Sequence, residues 1–167
     1  ISTALYISQS RLQRLHENLD RAGLKADIIV VDARAHRTTG YDVVVLDAPC
    51  SATGTIRRHP DLPFAKDGAQ FSALFDLQAQ LLDHALKRMA AKGRLVYCTC
   101  SLLPDEGEAQ IENALQKHQG LRVDHSALDK DFIAQEWRVA ELGLRLRPDF
   151  CAEHGGMDGF FITVLRW

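Results

Sequence analysis

Apolar residues along this chain fall into two rhythms, short unbroken runs and longer stretches at helical spacing, and their order predicts the fold. Thr3 to Ile7 is a short β-prone run. Leu12, Leu15, Leu19 and Ala22 then recur at helical spacing, with Ser8 or Ser10 placed to cap that helix and Gly23 to stop it. Ile28 to Val31 reads as a second strand. Val43-Val44-Val45-Leu46 is a third, apolar without a break, the pattern of a central strand covered on both faces. From Cys50 to about Phe71 neither rhythm holds. Leu74, Phe75, Leu81, Leu82, Ala85 and Met89 then line one face of a long helix from Phe71 to Met89, closed by Gly93. Arg94 to Thr99 is the next strand. Pro104-Asp105-Glu106 supplies the acidic first turn of a helix that runs to about His118. Leu121 to Val123 and Leu144 to Arg147 fit short strands, while 124–142 shows no clear pattern. Gly159 to Leu165 is strongly β-prone, and too little chain precedes it for a crossover helix, so it should insert antiparallel beside its neighbours.

This alternation of strands and helices predicts an α/β domain with a mostly parallel sheet, and a chain of 167 residues is long enough for one such domain with a real core. Open α/β sheets bind ligands at the carboxyl ends of their strands. Chemistry gathers there in this sequence. Asp32-Ala33-Arg34 follows the second strand, Asp47-Ala48-Pro49-Cys50-Ser51 the third, and Cys98-Thr99-Cys100-Ser101 the fourth. One long helix separates Cys50 from Cys100, the spacing of a βαβ unit whose strands are neighbours, so the two thiols could face one cleft.

Composition narrows the options modestly. A formal net charge of −2 gives no global signal for nucleic acid, so any such site must be a local patch. Arg57-Arg58-His59, in the irregular segment after Cys50, is the candidate, against the alternative of a solvated loop. No apolar run approaches the ~20 residues of a membrane span, and no signal peptide opens the chain, which predicts a soluble, cytoplasmic protein. Four cysteines are too few for a disulfide scaffold and should be free thiols. Cys98 and Cys151 read as small buried hydrophobes. A metal site is disfavoured, because Cys98-x-Cys100 lacks the wider spacing of zinc pairs and no second pair completes four ligands. Pro49-Cys50-Ser51-Ala52 opens like a zinc-deaminase signature but has Thr53 where the second cysteine belongs.

The segments DAPCSATG, IRRHPD, YCTCSLLPDEGE and HGGMDGFFITVL, in this order, resemble the catalytic domain of the Sun-type S-adenosylmethionine-dependent RNA cytosine-5 methyltransferases. The likeness extends from Thr3 to Arg166. It implies a Rossmann-like sheet with an antiparallel last strand, S-adenosylmethionine as cofactor, and ribosomal or transfer RNA as substrate. It further implies that Cys100 attacks carbon 6 of cytosine, that Cys50 assists release, and that Asp47 contacts the base close to the cofactor. Asp32 would sit at the adenosine end, and Arg57, Arg58 and His59 would meet RNA. A thiolate is needed because carbon 5 of cytosine is too poor a nucleophile until an adduct at carbon 6 enriches it. The resemblance also implies a first strand and a Gly-rich cofactor loop ahead of Thr3, so the domain is expected to be truncated at its N-terminus, to bind cofactor weakly and to self-associate. Tyr6 stands where the family usually has an acid for the ribose hydroxyls. Two other classes stay open: a non-catalytic RNA-binding fragment, and a small-molecule methyltransferase, which would have no use for the Arg-Arg-His cluster.

Overall fold

The computed structural model describes residues 2–65 and 68–167. The chain divides into two compact units, Ile1–Thr38 and Thr39–Trp167.

The first unit is one strand-helix-strand turn. β1 (Thr3–Tyr6) is followed by a 3-10 turn at Gln9–Arg11, α1 (Leu12–Ala22) and β2 (Asp27–Val30). β1 pairs with β2 in parallel, from Thr3↔Asp27 to Tyr6↔Val30. The elements match the sequence pattern closely. The expected serine cap does not form, because the Ser8 hydroxyl caps no amide and instead meets the Ser10 hydroxyl at 2.8 Å.

The second unit holds the larger sheet. Its elements are β3 (Tyr41–Asp47), α2 (Leu62–Ala65), α3 (Phe71–Leu86), β4 (Met89–Thr99), α4 (Glu108–Lys117), β5 (Arg122–Val123), α5 (His125–Leu128), β6 (Arg138–Val139), β7 (Gly143–Leu146) and β8 (Phe160–Arg166). The strand order is β3-β4-β8-β7-β6, with β5 also on β8. β3 and β4 run parallel, joined by the α3 crossover. Antiparallel pairing gathers around β8, which enters between β4 and β7 as the missing crossover helix requires. On one side of this sheet Leu82 and Leu86 of α3 and Ile111 of α4 pack with Leu95, Tyr97 and Phe161, and Leu144 and Val164 extend the core to the other face.

Three expectations are corrected. The helix from Phe71 ends at Leu86, and Met89 already belongs to β4, because Tyr41 pairs with Met89 before a register shift leads to Val43↔Arg94. Gly93 is the residue that allows that bulge, since a Cβ there would stand 2.7 Å from the Tyr41 carbonyl oxygen. It shapes a strand rather than closing a helix. β3 is covered on one face only: Val44 and Leu46 pack on the core, but Val43 and Val45 are 56% and 66% exposed. A run of β-branched residues offers both faces for burial without guaranteeing cover for both. Finally, Pro104–Glu106, expected as the first turn of the next helix, forms a separate 3-10 turn, and Glu106 within it is 0% exposed.

Candidate active site

Strand alternation decides which way the two thiols point. Along β4, Leu95, Tyr97 and Thr99 are completely buried, so Cys98 emerges on the opposite face and Cys100, just past the strand, keeps the same alternation; both are half-buried. β3 runs beside β4 in register through Asp47↔Cys98, and the Ala48 N–H continues the ladder by donating to the Cys98 carbonyl at 3.0 Å. The two strand ends therefore leave the sheet together. Cys50 Sγ lies 3.4 Å from Cys100 Sγ, the meeting that the βαβ spacing predicts.

This contact sets the chemistry of the pair. The Cys50 thiol, acting as donor, lowers Cys100 to about 7, outweighing burial and the negative charges of Asp47 and Glu106. Cys50 is raised in return, first by its bond to Cys100 and then by burial. Cys98, only two residues from Cys100, goes the other way: burial and then the Asp47 carboxylate, 3.9 Å from its sulfur, push it up to about 11. Of these three thiols, Cys100 alone combines partial exposure with a large thiolate fraction near neutral pH.

Below the sulfurs the two turns are stitched together by their serines. Ser51 Oγ lies 3.2 Å from Ser101 Oγ, and Thr53 Oγ1 is within 3.2 Å of both. The Glu106 carboxylate accepts from the Ser51 N–H at 2.8 Å, the Ser51 hydroxyl at 2.5 Å and Gln78 Nε2 at 3.1 Å. Arg145 of β7, itself buried, donates to the Ser101 carbonyl, pairs with Glu108 and lies over the Phe161 ring at 5.1 Å. Neither Glu106 nor Arg145 was signalled by the sequence pattern. A buried Arg beside a Glu on the neighbouring element is visible only once β7 and α4 are placed.

A third segment closes the site from the side. The Gly54 N–H donates to the Cys100 carbonyl at 2.9 Å, and Gly159 N–H donates to the Gly54 carbonyl at 2.8 Å. A Cβ on Gly54 would stand 2.0 Å from the Gly159 carbonyl oxygen, so only glycine fits between these backbones. Arg57 and Arg58, expected at the substrate, are exposed but already engaged: Arg57 donates to the Gly155 carbonyl and Arg58 pairs with Asp158 at 2.7 Å. They brace the HGGMDG segment, the role that neither the RNA reading nor the solvated-loop reading anticipated. His59 beside them is exposed.

Asp47 ends β3 with an exposed side chain. Asp32 belongs to the first unit and caps the 3-10 turn Ala33–Ala35, accepting from the Arg34 N–H at 2.8 Å and pairing with the Arg34 guanidinium at 2.7 Å. Tyr6 is the last residue of β1. Cys151 is half-buried at the start of the turn Ala152–His154. Among the described residues no group of three His, Cys, Asp or Glu side chains could hold a metal ion. None of their helices is long and apolar enough to cross a membrane.

A hydrogen-bonded thiol pair at the carboxyl ends of two parallel strands is a specific arrangement, and the model of the 16S rRNA methyltransferase RsmB/F family matches the chain over residues 2–166. The chain belongs to that family. Ribosomal RNA small subunit methyltransferase B of Shewanella oneidensis is 36% identical over 166 residues, covering 97% of this chain and 36% of the relative. The enzyme of the same name from Pasteurella multocida is 38% identical, covering 98% of this chain and 36% of the relative. Among solved structures, NSun6 from Pyrococcus horikoshii, crystallised with SFG, superposes with a TM-score of 0.81 at 27% identity, covering 98% of this chain and 40% of that one. A methyltransferase homologue from the same organism gives 0.71 at 29% identity, covering 98% of this chain and 52% of that one. The chain thus spans about a third of the length of these curated RsmB/F relatives. The Rossmann-like methyltransferase fold expected from the sequence is the fold these neighbours share with it.

Proposed function

We propose that this chain is the catalytic domain of an RNA methyltransferase that transfers a methyl group from S-adenosylmethionine to carbon 5 of a cytosine, in ribosomal RNA of the cytoplasm. The observation that carries this reading is the 3.4 Å thiol pair, with Cys100 lowered to about 7, in a chain of the RsmB/F family. S-adenosylmethionine, when bound, supplies the methyl group at carbon 5. Asp47, with its carboxylate exposed at the strand end, suits that site.

The steps assigned to the chain's own residues are those the family resemblance implies, and the thiol pair suits them. Cys100 Sγ, as thiolate, forms a bond to carbon 6 and moves the ring electrons onto carbon 5. Asp47 bonds the exocyclic amine and offsets charge on the ring as it develops. Once carbon 5 is methylated its proton departs to a water that Cys50 orients, since the Cys50 thiol keeps its own proton, and the bond from Cys100 to carbon 6 breaks as the double bond re-forms. Cys50 is suited to this work by position, since its sulfur lies beside the one that must leave.

The test uses the full-length protein, ribosomal RNA and isotope-labelled S-adenosylmethionine. Cys100→Ala should abolish incorporation, because the other two thiols at these strand ends, Cys50 and Cys98, are both raised. Wild-type turnover in that variant would remove the mechanism. Cys50→Ala should form its adduct more slowly, having lost the donor that lowers Cys100, yet accumulate a protein–RNA complex that survives denaturing electrophoresis.

A further inference from the structure

Glu106 is completely buried beside the two thiols. Among the described residues no Lys, Arg or His pairs with its carboxylate, which is held by the neutral donors of Ser51 and Gln78 alone. A buried carboxylate without a countercharge is costly, and such a group is kept where its placement serves something other than stability. Its bonds reach both halves of the site. The carboxylate holds Ser51, the residue after Cys50, by backbone and side chain at once. The backbone carbonyl of the same residue accepts from Tyr97 Oη at 2.9 Å and Thr99 Oγ1 at 3.3 Å, both on the strand that ends at Cys100. Gln78 of α3 completes the bracket by donating to the Pro49 carbonyl at 2.8 Å as well as to Glu106.

We propose that Glu106 is a positioning residue for the thiol pair, fixing the Pro49–Ser51 turn against β4 so that Cys50 stays within hydrogen-bonding distance of Cys100. The inference rests on reading Cys50 and Cys100 as the reacting pair, but its consequences can be measured on the thiols themselves. Glu106 acts on Cys100 in two opposed ways. Its negative charge disfavours the thiolate, while the position it gives Cys50 favours it, and the Cys50 bond is the larger influence. The remaining charged group that bears on Cys100 is Asp47 from β3, while Cys98 on β4 is itself raised by the Cys100 charge.

Two substitutions separate charge from reach. Glu106→Asp keeps the charge and shortens the side chain by one methylene, so the carboxylate no longer spans to Ser51. Glu106→Gln keeps the length and removes the charge. In the full-length protein, the rate of Cys100 alkylation by iodoacetamide, read by peptide mass spectrometry across pH, gives the midpoint of thiolate formation. We expect Glu106→Asp to raise that midpoint toward the ordinary thiol value of about 8.5, and Glu106→Gln to lower it below that of the native protein. Circular dichroism checks that each variant is folded. Should Glu106→Asp lose the native spectrum, Ser51→Ala, which removes the shortest bond to the carboxylate, is expected to raise the midpoint instead. Shifts in the same direction for both variants, or none in the length-changing one, would overturn the proposal. Alkylation needs neither cofactor nor RNA. A protein that shows these opposed shifts but methylates no RNA would therefore refute the proposed function and leave the role of Glu106 standing.

Discussion

Residues 1–38 and residues 39–167 carry apolar patterns of equal quality, yet only the second unit encloses a core. In the first, Leu12, Leu15 and Leu19 line one face of α1 and no residue of that helix is buried. Of its strands, β2 leaves Ile29 and Val30 exposed at 38% and 47%. In the second, every member of the core cluster lies between Ala48 and Leu165. Periodicity reports which face an element offers for burial. Whether that face is covered depends on what lies against it, which no local pattern records. A two-stranded sheet with one helix has few partners to offer, and units of that size are marginal by themselves.

Amide hydrogen exchange gives the largest expected contrast. Amides of β1, α1 and β2 should exchange at least about a thousandfold faster than those of β4 and β8, because opening the first unit sacrifices little buried apolar surface. Equal protection in both units would break the comparison. A matched pair of truncations sharpens it. Leu82→Ala, at a site 2% exposed, should lower stability in denaturant by about 2–5 kcal/mol, whereas Leu15→Ala on the half-covered face of α1 should cost less than about 1 kcal/mol.

Acid provides a third probe, confined to the second unit. Asp124, bonded to Ser126 and Arg94, is lowered to about 2 from an ordinary value of 3.8. A carboxylate lowered in the folded state stabilises above its unfolded value and loses that contribution as pH falls through the folded one. Thermal stability of the second unit should therefore decline between pH 4 and pH 2, and Asp124→Asn should flatten the decline. An unaltered acid profile in that variant would mean the ion pair contributes nothing. The smallest effect belongs to Ala52, which adopts φ +59 in the turn after Cys50. Ala52→Gly should stabilise by about 1 kcal/mol by removing left-handed strain from a residue with a Cβ. A loss of stability there would show that the turn is held by something other than its own geometry.

The sequence made much of the site legible, and the gaps have physical causes. Unbroken apolar runs located the strands, and the βαβ spacing brought Cys50 to Cys100. The short connection before Gly159 led to the antiparallel β8. What escaped the pattern is non-local. Met89 joined β4 because a bulge at Gly93 admits it, and bulges leave no periodicity behind. Glu106 read only as part of an acidic helix turn, because its partners Ser51 and Gln78 lie 55 and 28 residues away. Arg57 and Arg58 suggested an external anion for the same reason: their acceptors come from the far end of the chain.

That distance has a consequence for how the site comes into being. Arg58 and Asp158 are 100 residues apart, and Gly54 is bonded to both Cys100 and Gly159. Contacts of such separation carry a higher loop-closure cost than local ones and slow the folding of a domain that depends on them. β3, α3 and β4 bring the two cysteines together, and the Gly54 N–H ties the following loop to Cys100. The acceptors of Arg57 and Arg58 are Gly155 and Asp158, so the outer brace of the thiol pair is supplied from a distant stretch of the chain.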